Sequence, residues 1–166
     1  MTTYRFGGER LTGIAALLGL RAGLVSLANL FYREARDCST FYEEDELTSR
    51  FLSQFMEGSA ACFACEEELM SETFYRDSED HKDEHGDFTA RLYALRRRHK
   101  LGEPAMAIEI FQEVREWFLT HWEDADGRLF PYLDRVVMLG AVSTGGPTAV
   151  GDDRGRYGSA EVTAAH

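Results

Sequence analysis

The chain has three prolines, Pro104, Pro131 and Pro147, so residues 14–103 run without one. Strand signals are nearly absent in that stretch, and apolar residues recur at steps of three and four, the spacing of one helix face. The simplest reading is a set of long amphipathic helices. The pattern predicts helices over 14–36, 43–73, 78–99 and 104–124, with a further short helix at 128–139. Gly102 followed by Pro104 suits a break and then the first turn of the fourth helix. Residues 140–166 lose the periodicity, turn Gly- and Thr-rich, and read as a flexible tail or a loose wrap. The expected architecture is therefore all-α: a four-helix bundle over 1–139 in up-down-up-down order, a short C-terminal helix, and a 140–166 tail.

One stripe along each helix carries the next inference. The first reads Leu17, Arg21, Leu24, Ala28, Phe31, and the second Phe51, Phe55, Cys62, Glu66, Leu69. The third reads His81, His85, Phe88, Leu92, Leu95, and the fourth Ala107, Phe111, Val114, Phe118, His121. Each is apolar apart from one or two residues. Arg21 lies near the start of its helix, Cys62 and Glu66 near the end of theirs, the histidine pair opens the third, and His121 closes the fourth. Short connections would bring all of them to one end of the bundle, with Asp126 able to fold back over the same level. A polar layer in an apolar core is costly unless its members satisfy one another or hold a metal.

Composition removes several alternatives. A formal charge of −11 makes nucleic acid an unsuitable partner. The basic run RLYALRRRHK at 91–100 reads as a helix end, where cations suit the dipole, with His99 a solvated part of it. Three cysteines, Cys38, Cys62 and Cys65, form no disulfide framework, and a reducing, cytoplasmic setting fits them. Residues 13–31 (GIAALLGLRAGLVSLANLF) are long enough to span a bilayer. Arg21 at their middle would cost about 2.5–3.5 kcal/mol there, and no basic flank orients the segment. The reading taken is no membrane contact, with this segment a buried helix of a soluble bundle.

Two histidines at i, i+4 project from one helix face as a chelating pair does. The motif is weak alone, but here a third histidine and two carboxylates converge from other helices. Imidazole nitrogen with carboxylate oxygen suits iron, zinc or manganese, and open positions favour iron and oxygen chemistry. The Glu-x-x-His motif of ferritin-like sites is absent, since Ser78, Lys82 and Phe118 stand three before the histidines.

Four blocks together carry a resemblance: GI at 13–14, CFACEEELM at 62–70, HKDEH at 81–85 and WFLTHWEDAD at 117–126. In these, over roughly residues 11–135, the chain resembles the bacterial hemerythrins. Their pattern is Gly-Ile followed by a helix-1 histidine, then HFxxEExLM, HxxxH, and WxxxH with an Asp five residues on. The resemblance implies that His81, His85 and His121 are the three histidines on one iron. It implies that Glu66 and Asp126 are the bridging carboxylates. The other iron's two histidines fall on Arg21 and Cys62, so one iron's terminal ligands are complete and the other's are both replaced.

A guanidinium has no lone pair to ligate with but pairs well with carboxylates. Arg21 is therefore expected to pair with Glu66, Asp126 or both, leaving a site for one metal. Cys62 stays open between a thiolate that ligates or takes part in redox chemistry and a buried thiol that packs. Cys65, Phe63, Met70, Tyr75, Trp117 and Trp122 read as packing, and Glu67, Glu68 and Glu72 as a wet helix face. The cofactor implied is iron, one or two per chain, ahead of zinc or manganese. The leading function is dioxygen-dependent oxidation of a small substrate, with Arg21 and Cys62 as candidate catalytic residues. The alternative is a module that binds or senses dioxygen, nitric oxide or iron without catalysis, and a third reading is a vestigial site.

Overall fold

A computed structural model of the chain describes the backbone of residues 8–144 and the side chains of residues 13–139. It contains four α-helices, α1 (Gly8–Asp37), α2 (Phe41–Thr73), α3 (Ser78–Lys100) and α4 (Ala107–Thr144), and no strand among the described residues. Local chemistry sets the ends of α2. Thr40 caps its start: the Thr40 hydroxyl accepts from the Glu43 backbone N–H while the Glu43 carboxylate accepts from the Thr40 N–H. Phe74, in the left-handed region at φ 56°, ends it, and the Tyr75 N–H reaches back to the Met70 carbonyl at 2.9 Å. Acidic residues open α3 and the basic run 97–100 closes it, each sign complementing the helix dipole.

Each helix packs against its chain neighbours, α4 closes back onto α1, and α2 touches all three others. The shared core is aromatic. Phe31 of α1 stacks on Phe51 of α2 with ring centres 3.9 Å apart, and Phe55 meets Phe88 and Phe118 edge-on. Phe31, Phe51, Phe55 and Phe88 are fully buried, each worth several kcal/mol if truncated by the usual scale of about 3–5 kcal/mol for Phe→Ala. The predicted stripes are the buried ones with two exceptions: Arg21 is half-buried, and in α4 it is Ile110 that is fully buried, while Phe111 is half-buried and stacks on Tyr32.

Several expectations are corrected. The break before a short C-terminal helix does not occur; α4 continues through Pro131 to Thr144. Proline removes one backbone hydrogen bond there, but Ala125, Leu129 and Leu133 keep the stripe buried across it, and that burial offsets the loss. The first five residues of the expected 140–166 tail are helical, and the rest of it lies outside the described residues. Pro104 is not in the first turn of α4, which begins at Ala107 after Ala105 has taken a positive φ of 55°. His99 is buried rather than solvated, because its Nε2 shares a 2.8 Å hydrogen bond with the Ser49 hydroxyl on α2.

The apolar helix α1 is buried along one stripe only: Leu17, Leu24, Ala28 and Phe31. Its segment Gly13–Asp37 is long and apolar enough to cross a membrane, and 22% of its most apolar window is buried. The buried helix expected from the sequence is covered along one face, with Leu18 and Leu30 turned outward.

Candidate metal centre

Four side chains from three helices meet in one buried layer. Glu66 comes from α2, His81 and His85 from successive turns of α3, and His121 from α4, and one ligand atom from each lies within 4.8 Å of all the others. All four are 2–3% exposed. The i, i+4 spacing of His81 and His85 stacks them on one face of α3, with ring centres 4.7 Å apart. The His81 ring stands equally close to that of His121.

The imidazoles are oriented by what holds their other nitrogens. Glu67 Oε1 lies 3.2 Å from His85 Nδ1, and Glu84 Oε2 lies 2.8 Å from His121 Nδ1. A carboxylate at Nδ1 fixes the proton there and leaves Nε2 with its lone pair free, the arrangement that ligating histidines use. Phe63 stacks flat on His85 at 4.0 Å and Trp117 on His121 at 4.3 Å, so the rings cannot swing. Glu67 and Glu84 escaped the sequence reading: both are 37–42% exposed, and nothing but adjacency to a ligand-type residue distinguishes them from solvated carboxylates. Trp117 and Phe63 pack as expected, and what they pack on is the site.

The donor atoms themselves are unmatched. Nε2 of His81, His85 and His121, together with Oδ1 of Asp126, are buried and find no hydrogen-bond partner among the described residues. Glu66 Oε2 is 3.0 Å from His85 Nε2 and 3.5 Å from His81 Nε2, yet these contacts lack hydrogen-bond alignment. The atoms point at a common third position rather than at one another. Buried polar atoms left this way are costly, and a cation at that position would satisfy all of them. The donor set, three imidazoles and a carboxylate, fits a divalent transition metal.

Asp126 completes the layer from α4, one turn beyond His121. Its Oδ1 lies 3.5 Å from Nε2 of both His81 and His121, and its Oδ2 accepts a hydrogen bond from Arg21 Nη2. Arg21, on α1, has a side chain only 11% exposed. Its Nη1 stands 4.0 Å from Glu66 Oε1, and its guanidinium lies 4.9 Å from the centre of the Trp122 ring and 4.7 Å from that of Phe130. The expected pairing of Arg21 with both carboxylates is thus close on Asp126 and looser on Glu66. Cys62 is buried one turn before Glu66 and lies outside the group of four. Burial, and next the Glu66 carboxylate, push its thiol up to about 12. Cys65 is half-buried, its thiol 3.7 Å from the Gly13 carbonyl.

The layer also sets proton occupancy in the metal-free chain. Burial opposes ionisation of Glu66, but the His81 and His85 imidazoles hold it down to about 2. Burial holds His121 down to about 4 against the pull of Glu84. Burial and the Glu66 charge push Asp126 up to about 7, with Arg21 opposing. The signs give a testable profile. Between about pH 6.5 and 4 the unfolded chain binds the extra proton at His121 and the folded chain binds it at Asp126, so their contributions oppose each other. Below about 4.5 the unfolded chain alone takes up the Glu66 proton, and stability falls as pH drops toward 2, by about 3 kcal/mol at roughly 1.4 kcal/mol per unit. Urea midpoints of metal-free protein should therefore change less between about pH 6.5 and 4.5 than below 4.5, where they fall. A steady decline from neutrality would contradict this proton assignment.

Glu84 offers a second test. Glu84→Ala frees His121 Nδ1 and should weaken metal affinity about 10- to 100-fold, the usual effect of losing a ligand's orienting partner. Competitive titration with cobalt(II) reads it directly.

A cavity of about 310 Å³ opens beside the layer, lined by Glu84, Asp87, Glu116, Trp117, Thr120 and His121 among others. It gives small molecules an approach to the outer edge of His121. No protein-family model matches the chain, and comparisons with curated proteins and with solved structures return no match either.

Proposed function

We propose that this chain is a hemerythrin-like non-haem iron protein that carries out dioxygen-dependent oxidation of a small substrate. The observation that carries the metal reading is the convergence of three unpartnered Nε2 atoms and Glu66 in a buried layer. The hemerythrin-like, up-down-up-down bundle is supported by contacts that pair early α1 with late α2 and the reverse. A Cβ on Gly13 would meet Leu69, one on Gly58 would meet Leu24, and Phe31 stacks on Phe51. Short connections at 38–40, 74–77 and 101–106 support the same order.

His81, His85, His121 and Glu66 would hold the metal, with Asp126 at its side. Iron bound there supplies one-electron chemistry toward dioxygen. The chain's own part is to orient and exclude. Glu67 and Glu84 keep protons on Nδ1, Phe63 and Trp117 cover the ring faces against water, and the cavity beside His121 admits a small substrate. Three free cysteines support a reducing, cytoplasmic setting.

The experiment is dioxygen uptake by protein loaded anaerobically with ferrous iron, in the presence of a reductant such as ascorbate. Sustained uptake that depends on iron and is lost in His121→Ala supports catalysis. The outward Leu18 and Leu30 on α1 favour a second reading, a binding or sensing module for dioxygen, nitric oxide or iron that docks to a partner. Uptake that stops at a stoichiometric, reversible amount would favour that module over the enzyme.

A further inference from the structure

We propose that the Arg21 guanidinium is a built-in second cation of this centre, so that the layer takes one metal ion and has no place for another. The inference rests on the metal reading above and deepens it. Its basis is how the two buried carboxylates divide their oxygens. Glu66 turns Oε2 toward His81 and His85 and leaves Oε1 facing Arg21. Asp126 turns Oδ1 toward His81 and His121 and gives Oδ2 to Arg21. Both carboxylates therefore bridge two positions: the point where the imidazoles converge, and the guanidinium.

The second position is closed to a metal by chemistry as well as by space. Arg21 carries a permanent charge and has no lone pair to offer. Trp122 and Phe130 flank it with their ring faces, a contact that stabilises a desolvated cation and holds it in place. Cys62, one turn before Glu66 on α2, is a buried thiol that lies outside the group of four. A second divalent ion would have to displace the guanidinium from Asp126 and then find no nitrogen ligand.

Anaerobic titration with cobalt(II), followed by calorimetry and by the visible absorption of the bound ion, tests this on the wild-type chain and on Arg21→His/Cys62→His. The wild type should saturate at one equivalent, and Arg21→Lys, which keeps the cation, should do the same. The double variant, which replaces the guanidinium and the buried thiol with imidazoles, should saturate at two. Wild-type saturation at two equivalents would overturn the inference while leaving the metal reading intact. No saturable binding at all would overturn the metal reading and this inference with it. A double variant that keeps its helical circular dichroism yet stops at one equivalent would show that Arg21 does not occupy a metal position. Should that variant fail to fold, the wild-type stoichiometry decides alone.

Discussion

His121→Ala should lower metal affinity on the order of 100- to 1,000-fold. Four-ligand sites contribute roughly 10–16 kcal/mol, so one ligand in four carries about 2.5–4 kcal/mol. His121 is the one imidazole that α4 brings to the group of four, and its ring is held by both Glu84 and Trp117. The same substitution should also remove most of the thermal stabilisation that saturating metal confers, because that gain scales with affinity. Metal-free stability should fall too, through the lost ring packing on Trp117 and the lost Glu84 hydrogen bond, and the metal-dependent part is what remains when the two melts are subtracted. Calorimetric titration with zinc(II) or cobalt(II), paired with melting curves with and without metal, checks both halves. A loss below tenfold would mean that His121 is not a ligand.

Arg21→Met should destabilise the metal-free protein by about 3–5 kcal/mol, the usual cost of removing one partner of a buried ion pair. Two carboxylates, each 2% exposed, would then face each other with no permanent cation between them. The methionine fills part of the slot between Trp122 and Phe130, so the loss reports the charge more than the volume. The pH dependence separates the two. With Arg21 gone, Asp126 is pushed above the value of about 7 that burial and Glu66 already give it. The folded variant then binds a proton that the unfolded chain has lost, so stability falls as pH rises. The deficit should be larger at pH 8 than at pH 5, and Arg21→Lys should recover part of it. Urea denaturation at the two pH values is the measurement, and a deficit under 1 kcal/mol at both would mean that Arg21 is not the counter-charge of the layer.

The helices and the polar layer were legible because both are written in local spacing. His81, His85, Glu66 and His121 each interrupt an otherwise apolar stripe, and a stripe at helical period fixes which face turns inward. What stayed hidden depends on contacts between helices. The fourth stripe was read as ending with its helix at 124, and the burial of Ala125, Leu129 and Leu133 carries α4 on through Pro131. Because the fourth helix was expected to end at 124, Phe130 could not be placed against Arg21, although it forms one wall of its slot. Glu67 and Glu84 look like solvated carboxylates until the histidine beside each is oriented by its neighbours. His99 reads as part of a basic helix end until Ser49, fifty residues away, is seen to meet it.

The most direct measurement is an anomalous difference map at the iron edge, from crystals of protein loaded anaerobically with ferrous iron. The account predicts a peak in the buried layer, about 2.0–2.2 Å from Nε2 of His81, His85 and His121 and from a Glu66 oxygen, as first-row metal–nitrogen and metal–oxygen bonds require. Density for the Arg21 guanidinium should remain on Asp126. No peak at that position, or iron bound only at surface carboxylates, would contradict the claim that this layer is a metal centre.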